Sequence, residues 1–189
     1  MMTKLWKVRL SGKGGQGLIT ASIVLADAAI RSGKNAVQTQ SYGPESRGGA
    51  CRGEVIISDK NIYYPKINHP NLLVCMSDTA FETHAGSLAE DGILILDETL
   101  VSQTCPTKGQ LYKVPITGKC REKLGQDIYA NMVVLGTIIT ITQMVSDSVV
   151  LETLQEYFSP ELLEVNLQAF AIGINEGKNA IKQSGEFSA

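Results

Sequence analysis

Ser11-Gly12-Lys13-Gly14-Gly15-Gln16-Gly17-Leu18-Ile19-Thr20 joins a short apolar strand, Trp6-Lys7-Val8-Arg9-Leu10, to a helical run from Thr20 to Arg31. Strand, glycine turn and helix in that order aim backbone N–H groups at an anion. The first turn of a helix has N–H donors without intrahelical partners, and the aligned peptide dipoles place about half a positive charge there. Glycines let the backbone of such a turn take positive φ or approach a ligand closely. The segment Gly12–Thr20 therefore predicts a seat for a phosphate or pyrophosphate, in a Rossmann-like opening of an α/β chain.

Two familiar versions of that seat are incomplete. Gly12-x-Gly14-x-x-Gly17 has the spacing of the dinucleotide fingerprint. That fingerprint also needs an acid about 20 residues later to hold a ribose. The following strand, Asn35-Ala36-Val37-Gln38-Thr39-Gln40-Ser41, contains none. A P-loop needs Lys-Ser/Thr directly after its last glycine, and Leu18-Ile19 stand there. Both gaps count against an independent dehydrogenase or NTPase. A tight turn that only packs helix on strand is the alternative to a ligand seat.

Composition narrows the classes. With 189 residues, 43% hydrophobic and 19% charged, the chain suits one globular domain over 1–189 with a sizeable core. A net charge of −2 offers nothing to nucleic acid or an anionic membrane. The longest apolar run, broken by threonines and Gly136, is too short to span a bilayer. Met1 to Trp6 reads as the start of a strand rather than a signal peptide. Cys51, Cys75, Cys105 and Cys120 form no C-x-x-C pair, so neither a cluster nor structural zinc is expected. Cys51 and Cys75 sit in apolar runs and read as reduced thiols of a cytoplasmic protein. His69 and His84 have no partner at ligand spacing and read as surface residues.

Taken in order, the chain alternates strand and helix signals. Helix one is expected from about Gln16 to Ser32, with Gly33 beyond its end. It is apolar nearly all round, hence buried on more than one side or against another subunit. Strand two, about 35–40, leads into Ser41-Tyr42-Gly43-Pro44-Glu45-Ser46-Arg47-Gly48-Gly49, where three glycines and a proline in nine residues mark an ordered turn system. That loop is expected beside the first glycine turn. Arg47, its only cation, suits a phosphate or carboxylate, or a rim pair with Glu45.

Strand three, Ala50 to Ser58, alternates as an edge or half-exposed strand does, and Ile62-Tyr63-Tyr64 is a candidate hairpin partner. Leu72–Met76 and Ile93–Leu96 read as buried strands, and Leu111–Val114 as the last. Helices are expected from Ser77 to Ala89, from Thr117 as cap to Leu124, from Tyr129 to Val145, from Ser146 or Asp147 to Phe158, and from Pro160 to Lys182, with 183–189 frayed. Asp97-Glu98 end a strand and cap or face solvent. Asn131 points toward a site or simply caps. The expected fold is a three-layer α/β/α sandwich on a mixed, mostly parallel sheet, with C-terminal helices over about 129–182. No Ser/His/Asp or paired-carboxylate arrangement appears, so no catalytic residue is expected in this chain.

Several stretches resemble the gamma subunit of 2-oxoacid:ferredoxin (acceptor) oxidoreductases. These are Gly14-Gly15-Gln16-Gly17 with Thr20-Ala21, and Gln40-Ser41-Tyr42-Gly43-Pro44-Glu45-Ser46-Arg47-Gly48-Gly49 before a strand ending Ile57-Ser58-Asp59. Val114-Pro115-Ile116, Leu124-Gly125 and Ala130-Asn131-Met132-Val133-Val134-Leu135-Gly136 follow in the same order. The likeness covers nearly the whole chain and leans to the 2-oxoglutarate type, with the pyruvate or branched-chain types as alternatives. It implies CoA-dependent oxidative decarboxylation of a 2-oxoacid to an acyl-CoA (succinyl-CoA for 2-oxoglutarate), carbon dioxide and reduced ferredoxin or flavodoxin.

It further implies thiamine diphosphate and magnesium between alpha and beta partner subunits, and iron–sulfur clusters in beta or a delta subunit. The gamma chain is expected to be inactive alone and to contribute to coenzyme A binding and assembly. The expected coenzyme A residues are Gly12, Lys13, Gly14, Gly15, Gln16, Gly17, Thr20, Ser41, Gly43, Ser46, Arg47, Gly48, Gly49 and Asn131. A purely structural subunit, whose glycine loops touch other chains, is the competing expectation.

Overall fold

The computed structural model describes residues 5–42, 50–103 and 109–186. Among these residues six strands form one sheet: β1 (Trp6–Lys13), β2 (Asn35–Tyr42), β3 (Ala50–Ser58), β4 (Leu72–Cys75), β5 (Ile93–Asp97) and β6 (Gln110–Val114), in the order β2-β3-β1-β4-β5-β6. β1, β4, β5 and β6 run parallel. β3 is antiparallel to both β1 and β2, which makes β1 and β2 co-directional. The sheet is mixed and mostly parallel, as expected.

Helices α1 (Leu18–Arg31), α3 (Ile116–Leu124), α4 (Ala130–Thr142) and α5 (Asp147–Tyr157) share the larger apolar core with one sheet face, and α6 (Pro160–Glu186) packs against it. On the other face, α2 (Asp78–His84) and a 3₁₀ turn, Ala85–Ser87, cover a smaller core of Leu73, Cys75, Leu94 and Leu96. The two outer layers are therefore unequal. The all-round apolar character of α1 has its explanation here: it lies on β2 and β3 while α4 and α5 press on its flanks.

Side chains are excluded where α1 meets the sheet. A Cβ on Gly53 of β3 would lie 2.6 Å from Ser22 Oγ and 3.2 Å from the Leu18 carbonyl. Elsewhere, α4 and α6 touch backbone to backbone at Gly136 and Gly173, and the Thr137 hydroxyl donates to the Gly173 carbonyl at 3.3 Å.

Several expectations are corrected. β3 is an interior strand, not an edge. Its Cys51, Gly53, Val55 and Ile57 face α1, while Arg52, Glu54 and Ile56 face away. The alternation is real, but the polar face is covered. Glu54 pairs across the strands with Arg9 at 2.7 Å, both residues buried. Ile62-Tyr63-Tyr64 forms no strand. α2 stops at His84 rather than Ala89; Ser77 caps it, accepting from the Ala80 N–H at 3.2 Å.

Thr117 lies inside α3, and the capping acceptor is Asp97. That carboxylate is fully buried, neither solvated nor merely at a strand end. It accepts from the Thr117 N–H at 3.2 Å, the Thr99 N–H at 3.1 Å and the Thr117 hydroxyl. Burial raises its pKa, and these hydrogen bonds oppose the shift. α4 ends at Thr142 because Gln143 takes φ 51°, and α6 runs on to Glu186 instead of fraying at 183. Cys51 and Cys120 are buried free thiols, and Cys75 is buried as well. Cys105 lies outside the described residues.

The Arg9 guanidinium also donates to Ser87 Oγ at 3.0 Å and to the Ile67 carbonyl at 2.6 Å, tying the sheet to the 3₁₀ turn and to the 59–71 segment. Removing one partner of such a pair strands a buried charge, whereas removing both does not. Arg9→Met or Glu54→Leu alone is expected to cost about 3–5 kcal/mol in denaturant titration. The double variant is expected to recover most of that loss, and additive losses would show that the two charges act independently.

Candidate functional site

β1 ends at Lys13, and α1 starts at Leu18, with Gly17 as its cap. Gly15 has φ 96° and Gly17 φ 69°, values that L side chains rarely adopt. Gln16 holds the turn shut from below. Its Oε1 accepts from the Lys13 N–H at 2.6 Å, and its Nε2 donates to the Met76 carbonyl at 3.0 Å at the end of β4. Both ends of that amide are thus engaged inside the protein. A Cβ on Gly12 would collide with Gln16 Oε1, which explains the glycine there.

Above the turn the situation is reversed. A Cβ on Gly15 would meet nothing within 4 Å. The N–H groups of Leu18, Ile19 and Thr20 have no hydrogen-bond partner among the described residues. No acid stands in the first turn of α1 to offset the dipole. Lys13 is exposed beside the turn and makes no ion pair among the described residues. The arrangement is an open, electropositive patch of main-chain donors with one exposed cation, suited to holding an anion.

Asn131, buried at the start of α4, packs directly under the turn. Its Nδ2 donates to the Gly17 carbonyl at 3.4 Å, and its Oδ1 accepts from the Met132 N–H at 2.9 Å. It supports the turn from within. Gly12, Lys13, Gly14, Gly15, Gln16, Gly17, Thr20 and Asn131 thus come together. Ser41 does not join them: it sits on β2, separated from β1 by β3 and opposite Arg52, roughly 10 Å away at two strand spacings. Gly43, Ser46, Arg47, Gly48 and Gly49 lie outside the described residues. The described flanks lie at this end of the sheet: Ala50 is registered opposite Lys13 and Tyr42 opposite Cys51.

A polar cluster on the face away from α1 escaped sequence reasoning. Arg52 is half-exposed, yet its Nε is buried without a hydrogen-bond partner, 3.8 Å from Glu54 Oε1. His84 is half-buried rather than a surface residue, and its pKa is lowered to about 4 by burial first and by Arg9 and Arg52 next. The charged positions of an alternating strand were the only sequence signal for this cluster. Among the described residues no group of three or more His, Cys, Asp or Glu side chains is placed to hold a metal. Among the described residues no helix is long and apolar enough to cross a membrane.

With this geometry in place, known proteins supply context. The family model described as "Pyruvate ferredoxin/flavodoxin oxidoreductase" matches residues 7–176. The 2-oxoglutarate synthase subunit KorC of Methanocaldococcus jannaschii is 40% identical over 91% of this chain and 94% of its own. The keto/oxoacid ferredoxin oxidoreductase gamma subunit of Geobacter sulfurreducens superposes with a TM-score of 0.85 at 35% identity, covering 94% of this chain and 98% of that one. A 2-oxoglutarate:ferredoxin oxidoreductase from Magnetococcus marinus, solved with 2-oxoglutarate, coenzyme A and succinyl-CoA bound, shares the fold. Its TM-score is 0.82 at 22% identity, over 93% of this chain but 31% of that one.

Two outcomes follow from the geometry. A Cβ on Gly17 would lie 2.6 Å from Asn131 Nδ2, so Gly17→Ala adds a clash to the strain of positive φ. It is expected to cost about 2 kcal/mol in thermal or denaturant unfolding, and Asn131→Ala in the same chain is expected to return the clash portion only. The second outcome concerns pH. The unfolded state protonates His84 near its ordinary 6.5, but the folded state does so only near 4. The unfolded chain therefore binds the extra proton in that window, and stability falls as pH drops from 6.5 to about 4. In His84→Gln that part of the slope is expected to vanish, measured as denaturation midpoint against pH.

Proposed function

The chain belongs to the pyruvate ferredoxin/flavodoxin oxidoreductase family, and from that premise we propose that it is the gamma-type subunit of a CoA-dependent 2-oxoglutarate:acceptor oxidoreductase. The observation that carries this reading is the set of unpartnered N–H groups at the open start of α1, in a chain 40% identical to a 2-oxoglutarate synthase subunit. These donors, with Lys13 beside them, fit a phosphate or diphosphate such as coenzyme A carries. Coenzyme A supplies the thiol that takes up the acyl group. The share of this chain is to hold the anionic end: Gly14–Thr20 by main-chain donors, and Lys13 by charge.

Gln16 and Asn131 position the turn from inside. The segment with Gly43, Ser46, Arg47, Gly48 and Gly49 is proposed as the second wall. The match to chains named as subunits supports a chain that acts only within an assembly. Thiamine diphosphate, magnesium and iron–sulfur clusters are assigned to alpha, beta and delta partners, and ferredoxin or flavodoxin to the assembled enzyme. The buried free thiols of Cys51 and Cys120 suit a cytoplasmic setting. The structural-subunit reading draws its support from Gln16, whose amide is fully engaged within the protein.

The test uses the enzyme assembled by co-expression. Lys13→Ala and Gly15→Asn, the latter chosen because Asn tolerates positive φ better than most residues, are expected to raise KM for coenzyme A about tenfold, or roughly 1.4 kcal/mol. KM for the 2-oxoacid is expected to stay constant. Unchanged KM for coenzyme A in both variants would leave the turn a purely structural device.

A further inference from the structure

At the opposite end of β1 lies a second concave place with its own chemistry. A cleft of about 410 Å³ is floored by Ile56 of β3 and walled by Lys7, Lys60, Tyr63, Tyr64 and Lys66. Lys7 is six residues before Lys13 on the same strand, so the cleft stands about 20 Å from the glycine turn. No carboxylate lines it among the described residues. Its three lysines form no ion pair among the described residues. The neighbouring acid, Asp59, is turned to Lys34 at 3.8 Å.

Tyr63 is 89% exposed and Tyr64 60%. A folded chain gains little by holding two adjacent aromatic rings in water. Tyrosine, with an apolar ring and a polar tip, is characteristic of residues that anchor protein interfaces. The lysine stems extend the apolar floor while their ammonium groups form a positive rim.

We propose that this cleft docks an acidic segment of a partner chain in the same oxidoreductase, its carboxylates meeting Lys7, Lys60 and Lys66 and an apolar side chain entering between Tyr63 and Tyr64. The proposal rests on the subunit reading given above. Charge complementarity argues for an acidic occupant. A polypeptide is favoured because relatives that this chain matches over nearly their whole length are named as subunits, while the same fold spans 31% of a longer chain in the Magnetococcus marinus enzyme.

The chain is co-expressed with the remaining subunits, and the complex is recovered through a tag on another subunit. Wild type is expected to co-purify. Lys7→Glu/Lys60→Glu/Lys66→Glu and Tyr63→Ser/Tyr64→Ser are each expected to reduce its recovery about tenfold at about 0.15 M salt. The melting temperature of each variant chain alone should stay within about 2 °C of wild type. A benzophenone amino acid at position 63 of the assembled enzyme is expected to cross-link to a partner peptide of net negative charge. Wild-type recovery of both variants, or a cross-linked peptide without Asp or Glu, overturns the docking proposal alone. Absence of any cross-link, with lysine-dependent binding of ATP to the isolated chain, overturns it in favour of a small-molecule site. Failure of wild type itself to co-purify overturns the subunit reading instead.

Discussion

Everything at the candidate site depends on how closely α1 is laid on the sheet. The contact is so tight that β3 has no side chain at Gly53, where Ser22 and the Leu18 carbonyl intrude, and β1 has none at Gly12, where Gln16 fills the space. Close contact fixes the direction in which the helix leaves the strand. It therefore fixes where its unpartnered N–H groups face. Gln16 then spans the ends of β1 and β4, and Asn131 of α4 supports Gly17 from below. A turn braced on two sides keeps its donors in place before an anion arrives, so less ordering is needed at binding.

The opening strand, turn and helix were readable in the amino-acid sequence because their signals are local. Glycines at fixed offsets and an apolar helix run need no distant partner to be recognised. β3 shows the opposite case. Alternation along Ala50–Ser58 reports two chemically different faces, but it cannot tell water from a buried counter-ion. The polar face turned out to be covered, with Glu54 meeting Arg9 forty-five residues away in sequence. For Asp97 the capping alternative holds and the solvent one does not, because the N–H groups it caps belong to α3, twenty residues on. The end of α4 depended on Gln143 accepting positive φ, a place where glycine is the usual signal.

The site divides along the same line. The glycine turn between the first strand and helix was anticipated as a turn, and Asn131 was placed near it, although the structure gives that amide an inward, supporting part. Ser41 was expected beside the turn on the assumption that β1 and β2 are neighbours. An inserted antiparallel strand separates them, and only long-range pairing decides such an order. Arg52 and His84 carried no motif, and their meeting with Arg9 arises from sheet register and from the way α2 ends over that face. Family resemblance recovered the class of enzyme because it draws on many positions at once. It says nothing of which side chains face one another.

β2 closes the sheet on one side, and no described strand pairs with its outer edge. Asn35-Ala36-Val37-Gln38-Thr39-Gln40-Ser41-Tyr42 has no lysine, no carboxylate and no proline to discourage a visiting strand. Among the described residues these eight present an unpaired edge of main-chain donors and acceptors, the template on which extended backbones add. A free copy of this chain is therefore exposed to self-association along that border, and synthesis in step with its companions becomes a matter of solubility as much as of activity.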